Sequence, residues 1–176
     1  MAMIEILKRI ENTILKIKGL KISHIIEDPE CEAYSGYSFR IDKRNVKFRK
    51  AKVTPKKNGQ FVALWKRNNE KQTIPYDLGD DFDFYMIAAE QQHRSGFFLF
   101  PKYILGEKQI LTTDDREGKR GFRLYTDWDI PQSKQARQTK NWQTEYFIDM
   151  TDIGNVDHGK FNSIIYGAYK YAFNAG

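Results

Sequence analysis

Arg49, Lys50, Lys52, Lys56, Lys57, Lys66 and Arg67 put seven cationic side chains and no acid into RKAKVTPKKNGQFVALWKR, residues 49–67. The wider stretch 40–67 holds eleven Lys or Arg against the single acid Asp42, a local charge of +10. The whole chain carries +6, so everything outside that stretch sums to 6 − 10 = −4. One basic segment on an otherwise acidic body is the footprint of a polyanion partner, because each phosphate neutralised by Lys or Arg releases condensed counterions. Trp65, with Phe48 and Tyr37, would add stacking faces for unpaired bases if these rings lie on the open side of a sheet. Lys134, Arg137 and Lys140 recur every three residues in a later segment and would form the opposite wall of a groove. The plainer alternatives are a sheet edge protected by lysines and a solvated helix face.

The acids allow a second chemistry. DLGDDFDFY supplies Asp77, Asp80, Asp81 and Asp83, and Glu117-Gly118-Lys119 follows. Carboxylates that hold Mg²⁺ or Mn²⁺, with a lysine beside the attacking water, are the working parts of a metal-dependent nuclease. Asp81 or Asp83 with Glu117 and Lys119 is the minimal pattern of the restriction-endonuclease-like enzymes. On this alternative Mg²⁺ is the cofactor; on the leading one there is none. His24, His93 and His158 have no metal-ligand spacing, and the chain contains no GxxxxGK[ST], GxSxG or HExxH. A third reading is a regulatory module whose basic face meets an acidic protein.

These residues must be positioned by local structure. Ile4, Leu7, Ile10, Ile14 and Ile17 recur at spacings of three and four, which predicts an amphipathic helix ending near Gly19. Runs rich in aromatic and β-branched residues predict strands over 37–41, 45–54, 60–66, 82–89, 97–104 and 122–127. Asp42-Lys43-Arg44, Lys57-Asn58-Gly59 and Arg94-Ser95-Gly96 have the composition of hairpin turns, which makes the sheet antiparallel. In the second strand the apolar side chains sit at even positions (Val46, Phe48) and then at odd ones (Ala51, Val53), so the chain changes faces there. A helix follows Pro131, and a last one spans 160–173 with Phe161, Ile164, Ile165, Ala168 and Ala172 on one face. The expected fold is α+β: an antiparallel sheet of about five to six strands flanked by N-terminal and C-terminal helices.

The 176 residues suit one domain, 1–176, and the 40% hydrophobic and 14% aromatic content argues against a disordered chain. A mean hydropathy of −0.67, no apolar run near the roughly 18 residues of a span and no signal-peptide core at the N-terminus point to a cytoplasmic protein, and a monomer is the expected state. Cys31 is the only cysteine, which excludes an intrachain disulfide and a CxxC zinc site.

The basic run, followed by FFLFPKYIL, EGKRGFRLYTDWD and KNWQTEYF, resembles the MepB-like family of small bacterial proteins across roughly 32–147. The resemblance implies an α+β domain and, for the members that give the family its name, a gene beside a multidrug efflux pump and its repressor. It marks Arg49, Lys52, Thr54, Pro55, Lys56, Gly59, Trp65, Lys66 and Arg67, then Pro101, Lys102, Glu117, Gly118, Lys119, Arg120, Trp128 and Trp142, as lying within family motifs. The expected function is binding of DNA or RNA with low sequence specificity, through phosphate contacts made by the basic hairpin.

Overall fold

A computed structural model describes residues 4–172. The first helix, α1 (Glu5–Ile10), continues through a wide π turn (Glu11–Leu15) and a tight 3₁₀ turn (Lys16–Lys18) until Gly19, at φ +69°, ends it. The wide turn shifts the phase of the apolar stripe. Ile14 and Leu15 are therefore both buried, and Ile17, expected in the core, is 65% exposed.

Strands β1 (Ile22–Glu27), β2 (Tyr37–Ile41), β3 (Arg44–Lys50), β4 (Lys52–Val53), β5 (Gln60–Ala63), β6 (Trp65–Arg67), β7 (Thr73–Pro75), β8 (Phe84–Gln91) and β9 (Arg94–Pro101) lead to helix α2 (Lys102–Glu107). The chain closes with β10 (Gly121–Leu124), α3 (Lys134–Gln143), β11 (Phe147–Asp149) and α4 (His158–Ala172). Six strands form the main sheet in the order β1-β2-β3-β8-β9-β11, and two small sheets, β10-β5-β4 and β6-β7, lie apart from it. The main sheet is antiparallel except at β3 and β8, which run parallel in register from Val46 opposite Phe84 to Lys50 opposite Ala88. That exception follows from connectivity: the excursion through β4–β7 returns the chain to the starting end of β3 before β8 begins.

Several expected elements divide where the excursion starts. The strand expected over 45–54 breaks at Ala51, which donates to Ala88 O (2.9 Å) while the next residues leave for the small sheet. The change of face is a change of sheet. The strand expected over 60–66 breaks at Leu64, whose N–H turns to Arg120 O. The expected turn at Arg94-Ser95-Gly96 lies earlier, between the paired Gln91 and Arg94, with Gln92 at φ +55°. The strand expected to reach Ile104 stops at Pro101, where α2 begins.

Both faces of the main sheet are covered. Phe48, Phe84, Met86, Phe97 and Leu99 face α1 and α4, packing on Leu7, Ile14, Phe161 and Ile165. Tyr85, Ile87, Phe98, Phe100 and Phe147 face the β10-β5-β4 sheet and α2–α3, packing on Val62, Leu64, Leu105 and Leu124. Such two-sided burial explains the unbroken apolar runs of β8 and β9. In α4, Phe161 and Ile165 are fully buried as expected; Phe173 and the side chains of Ala168 and Ala172 lie outside the described residues. No helix among the described residues is long and apolar enough to cross a membrane.

Candidate nucleic-acid interface

Strand parity sorts the seven cations of the basic segment. In β3 the even positions, Val46 and Phe48, point into the helix-covered core, so Lys47 and Arg49 point the other way. There Asp28 accepts from Arg49 Nη1 (2.7 Å), Lys47 Nζ (3.3 Å) and Ser38 Oγ (2.8 Å). Burial opposes ionisation of Asp28, but the charges of Arg49 and Lys47 and these hydrogen bonds outweigh it and hold its carboxyl below the usual range. Arg49 is 1% exposed. The expectation that it contacts phosphate is corrected: it is the buried partner of Asp28. Phe48 and Tyr37 are buried as well and offer no stacking face.

Lys66 is also spent internally, on Asp77 (2.9 Å) and Asp80 (2.6 Å). Desolvation works against its charge, and the hydrogen bonds and charges of Asp80 and Asp77 more than offset this and raise its pKa. Lys50 pairs with Glu90 (2.6 Å), Lys52 lies over the Tyr34 ring at 4.6 Å, and the Arg67 guanidinium covers the half-buried Trp65 at 5.3 Å. Lys56 and Lys57 are different. They are exposed at the turn between β4 and β5 and have no acidic partner among the described residues.

The turn is held in place by its neighbours. Gly59 adopts φ +79°, and a Cβ there would lie 2.5 Å from Leu124 O and 2.9 Å from the Tyr125 ring, so only glycine permits this approach to β10. Arg123 Nη1 donates to Thr54 Oγ1 (3.0 Å) and Asn58 O (3.1 Å) from beneath. Asn58 Nδ2 donates to Ile130 O (2.8 Å), tying the turn to the loop that enters α3. Ser133 Oγ caps that helix by accepting from Ala136 N (3.1 Å).

Lys134 and Arg137 are exposed on α3, and Lys140 Nζ donates to Asp127 O (3.0 Å) and Asp129 O (2.6 Å). A hollow of about 490 Å³ runs along this face of the helix, lined by Lys134, Arg137 and Lys140. A second, of about 370 Å³, is lined by Lys57, Arg94 and Trp128, and both hollows share Asp129 and Ile130. The Asp129 carboxylate is committed to Thr126 N (2.7 Å) and Thr126 Oγ1 (2.8 Å). The hairpin turn and α3 therefore flank one depression, with cations on both sides and a half-buried indole in it. Arg94 joins this group without any sequence signal, as a lone charge beside a turn.

The carboxylates are not assembled as the nuclease pattern requires. Asp83 Oδ2 accepts from Asn45 N (2.8 Å) and Asp81 Oδ1 from Asn45 Nδ2 (3.0 Å), so both brace the start of β3. Glu117 pairs with Arg120 (3.0 Å), and Lys119 lines a separate cleft with Lys108 and Arg123. Among the described residues no three His, Cys, Asp or Glu side chains converge in a group able to hold a metal ion.

Comparison with known proteins places this architecture. The sequence model of the MepB-like family matches residues 28–149. The chain belongs to the MepB-like family. The crystal structure of MepB is 31% identical, covers 85% of this chain and 99% of its own, and superposes with a TM-score of 0.74. The structure of the bacterial homing endonuclease I-Ssp6803I is 16% identical over 77% of this chain and 84% of its own, with a TM-score of 0.42. No curated protein matches. In this MepB-like chain the matched region contains the whole depression, from the hairpin turn to α3.

Proposed function

We propose that the chain is a cytoplasmic, monomeric nucleic-acid-binding protein of low sequence specificity. The observation that carries this reading is the meeting of Lys57, on the β4–β5 turn beside the exposed Lys56, with Lys134, Arg137 and Lys140, on α3, around adjoining hollows in which the one acid among the described lining residues, Asp129, is committed internally. Long flexible cations read phosphate charge and not base edges, so affinity follows charge and changes little with sequence. Trp128 is half-buried, with Nε1 donating to Gln91 Oε1 (3.2 Å), Phe147 packed at 5.4 Å and the Arg94 guanidinium over its ring at 5.9 Å, so an unpaired base that stacks on this indole takes the place of Arg94. The two hollows and this indole also favour nucleic acid over a flat acidic protein surface.

The test is fluorescence anisotropy with single- and double-stranded DNA and RNA of unrelated sequences. Dissociation constants should agree across sequences and weaken by about two decades between 50 and 200 mM salt, at about half a decade for each of four phosphate contacts. Absence of binding at 50 mM salt, or binding indifferent to salt, would refute the reading.

A further inference from the structure

The other flank of α3 closes a separate cleft of about 320 Å³ against β10 and the segment from Lys108 to Lys119. Lys108, Lys119 and Arg123 line it, and among the described residues no Asp or Glu does; Glu145 belongs to the shallower shelf beyond Trp142. Each wall is fixed. Buried Gln143 accepts from Tyr125 N (2.8 Å) and donates to Arg123 O (2.9 Å), which locks α3 to β10. Gly118 packs so closely that a Cβ would lie 2.4 Å from Ile110 O, and Lys119 N donates to the same oxygen (2.9 Å). Arg123 uses only Nη1 on protein, leaving Nε and Nη2 without a partner among the described residues. Lys108 Nζ stands 5.7 Å from the centroid of the Trp142 ring.

Three cations lining one cleft without a carboxylate among the described residues leave a positive potential there that an anion of matching charge neutralises. A phosphate monoester carries nearly two negative charges at neutral pH, whereas a diester inside a strand carries one. The indole beside Lys108 adds a flat apolar face, and the volume lies at the small end of ligand cavities, enough for one nucleotide and too small for a duplex. We propose that this cleft binds a single nucleotide through a phosphate monoester, presented either free or as the phosphorylated end of a strand. The strand-end form rests on the nucleic-acid reading above; the free-nucleotide form does not.

Calorimetric titration with adenosine 5′-monophosphate, adenosine, and one oligonucleotide bearing either a 5′-phosphate or a 5′-hydroxyl separates the cases. AMP is expected to bind and adenosine not, with Lys119→Gln and Lys108→Gln each weakening AMP by about tenfold through loss of a charge-assisted contact. A change in tryptophan emission on AMP binding, lost in Trp142→Phe while Trp65 and Trp128 remain, locates the ligand. Binding of AMP with no preference between the oligonucleotides identifies the free nucleotide, and preference for the phosphorylated end identifies the strand terminus. If AMP does not bind and the two oligonucleotides bind alike, the proposal is overturned, while salt-dependent binding of both would leave the broader reading intact. AMP binding by a protein that holds no oligonucleotide would uphold the cleft and overturn the broader reading instead.

Discussion

Replacing Arg49 by Met removes the cation from the Asp28 site while keeping most of the buried apolar stem. Arg49 is 1% exposed on its side chain and Asp28 15%, so the carboxylate is left largely desolvated with Lys47 at 3.3 Å and Ser38 at 2.8 Å as its remaining partners. Breaking a buried pair from one side costs about 3–5 kcal/mol, and the two surviving partners place this substitution near the lower end, about 3 kcal/mol. For a chain of this length that corresponds to a fall in melting temperature of about 6–12 °C. Urea denaturation gives the free energy directly, and the double variant Asp28→Asn/Arg49→Met should recover part of the loss because no unpaired carboxylate remains, while Lys47 keeps Ser38 Oγ at 2.8 Å. Folded Arg49→Met should bind nucleic acid as the unaltered protein does. A variant of unchanged stability with weakened, less salt-sensitive binding would refute the assignment and return Arg49 to the phosphate-contacting surface.

Gly59→Ala should destabilise the protein by about 2 kcal/mol or more, from the left-handed backbone and the contacts with Leu124 O and Tyr125, and should weaken nucleic-acid binding by displacing Lys56 and Lys57; a thermal melt and anisotropy check both. Asp28 ionises more readily folded than unfolded, so its contribution is fully present above its ordinary pKa of 3.8 and disappears as pH falls through the lower folded value. The acid limb of a stability–pH profile should therefore flatten in Asp28→Asn. Lys66 shifts the opposite way, so its stabilisation is present below its ordinary 10.5 and is lost only as pH rises through the higher folded value; Lys66→Met should remove that alkaline loss.

The architecture was largely legible because its strongest signals are local. The 3–4 spacing of Leu7, Ile10 and Ile14, the glycine stop at Gly19 and the aromatic runs of β8 and β9 each encode their own element. β1 was missed because, as an edge strand with an irregular register between Ser23 and Ile26, it buries little and shows no clean alternation. The parallel β3–β8 pair depends on where a long excursion returns, which no short window of sequence contains.

Charge was legible as a total and illegible as a surface. Arg49 and Lys56 are equivalent in composition, yet strand parity sends one onto Asp28 while the turn sends the other to solvent. The acid neutralising Arg49 lies twenty-one positions away and those holding Lys66 eleven and fourteen, so counting acids within the basic run overstated its free charge. Arg94, Arg123 and Lys108 carried no signal at all, being single cations that the fold gathers from separate elements.

The most direct measurement is the salt dependence of nucleic-acid affinity for the unaltered protein and for Lys56→Gln/Lys57→Gln/Lys134→Gln/Arg137→Gln. On duplex DNA the slope of log affinity against log salt should be shallower in the variant by up to about 3.6, at about 0.9 for each lost contact, with affinity falling by a similar factor for every sequence tried. Equal slopes and equal affinities would contradict the claim that the hairpin turn and α3 form the phosphate-binding surface.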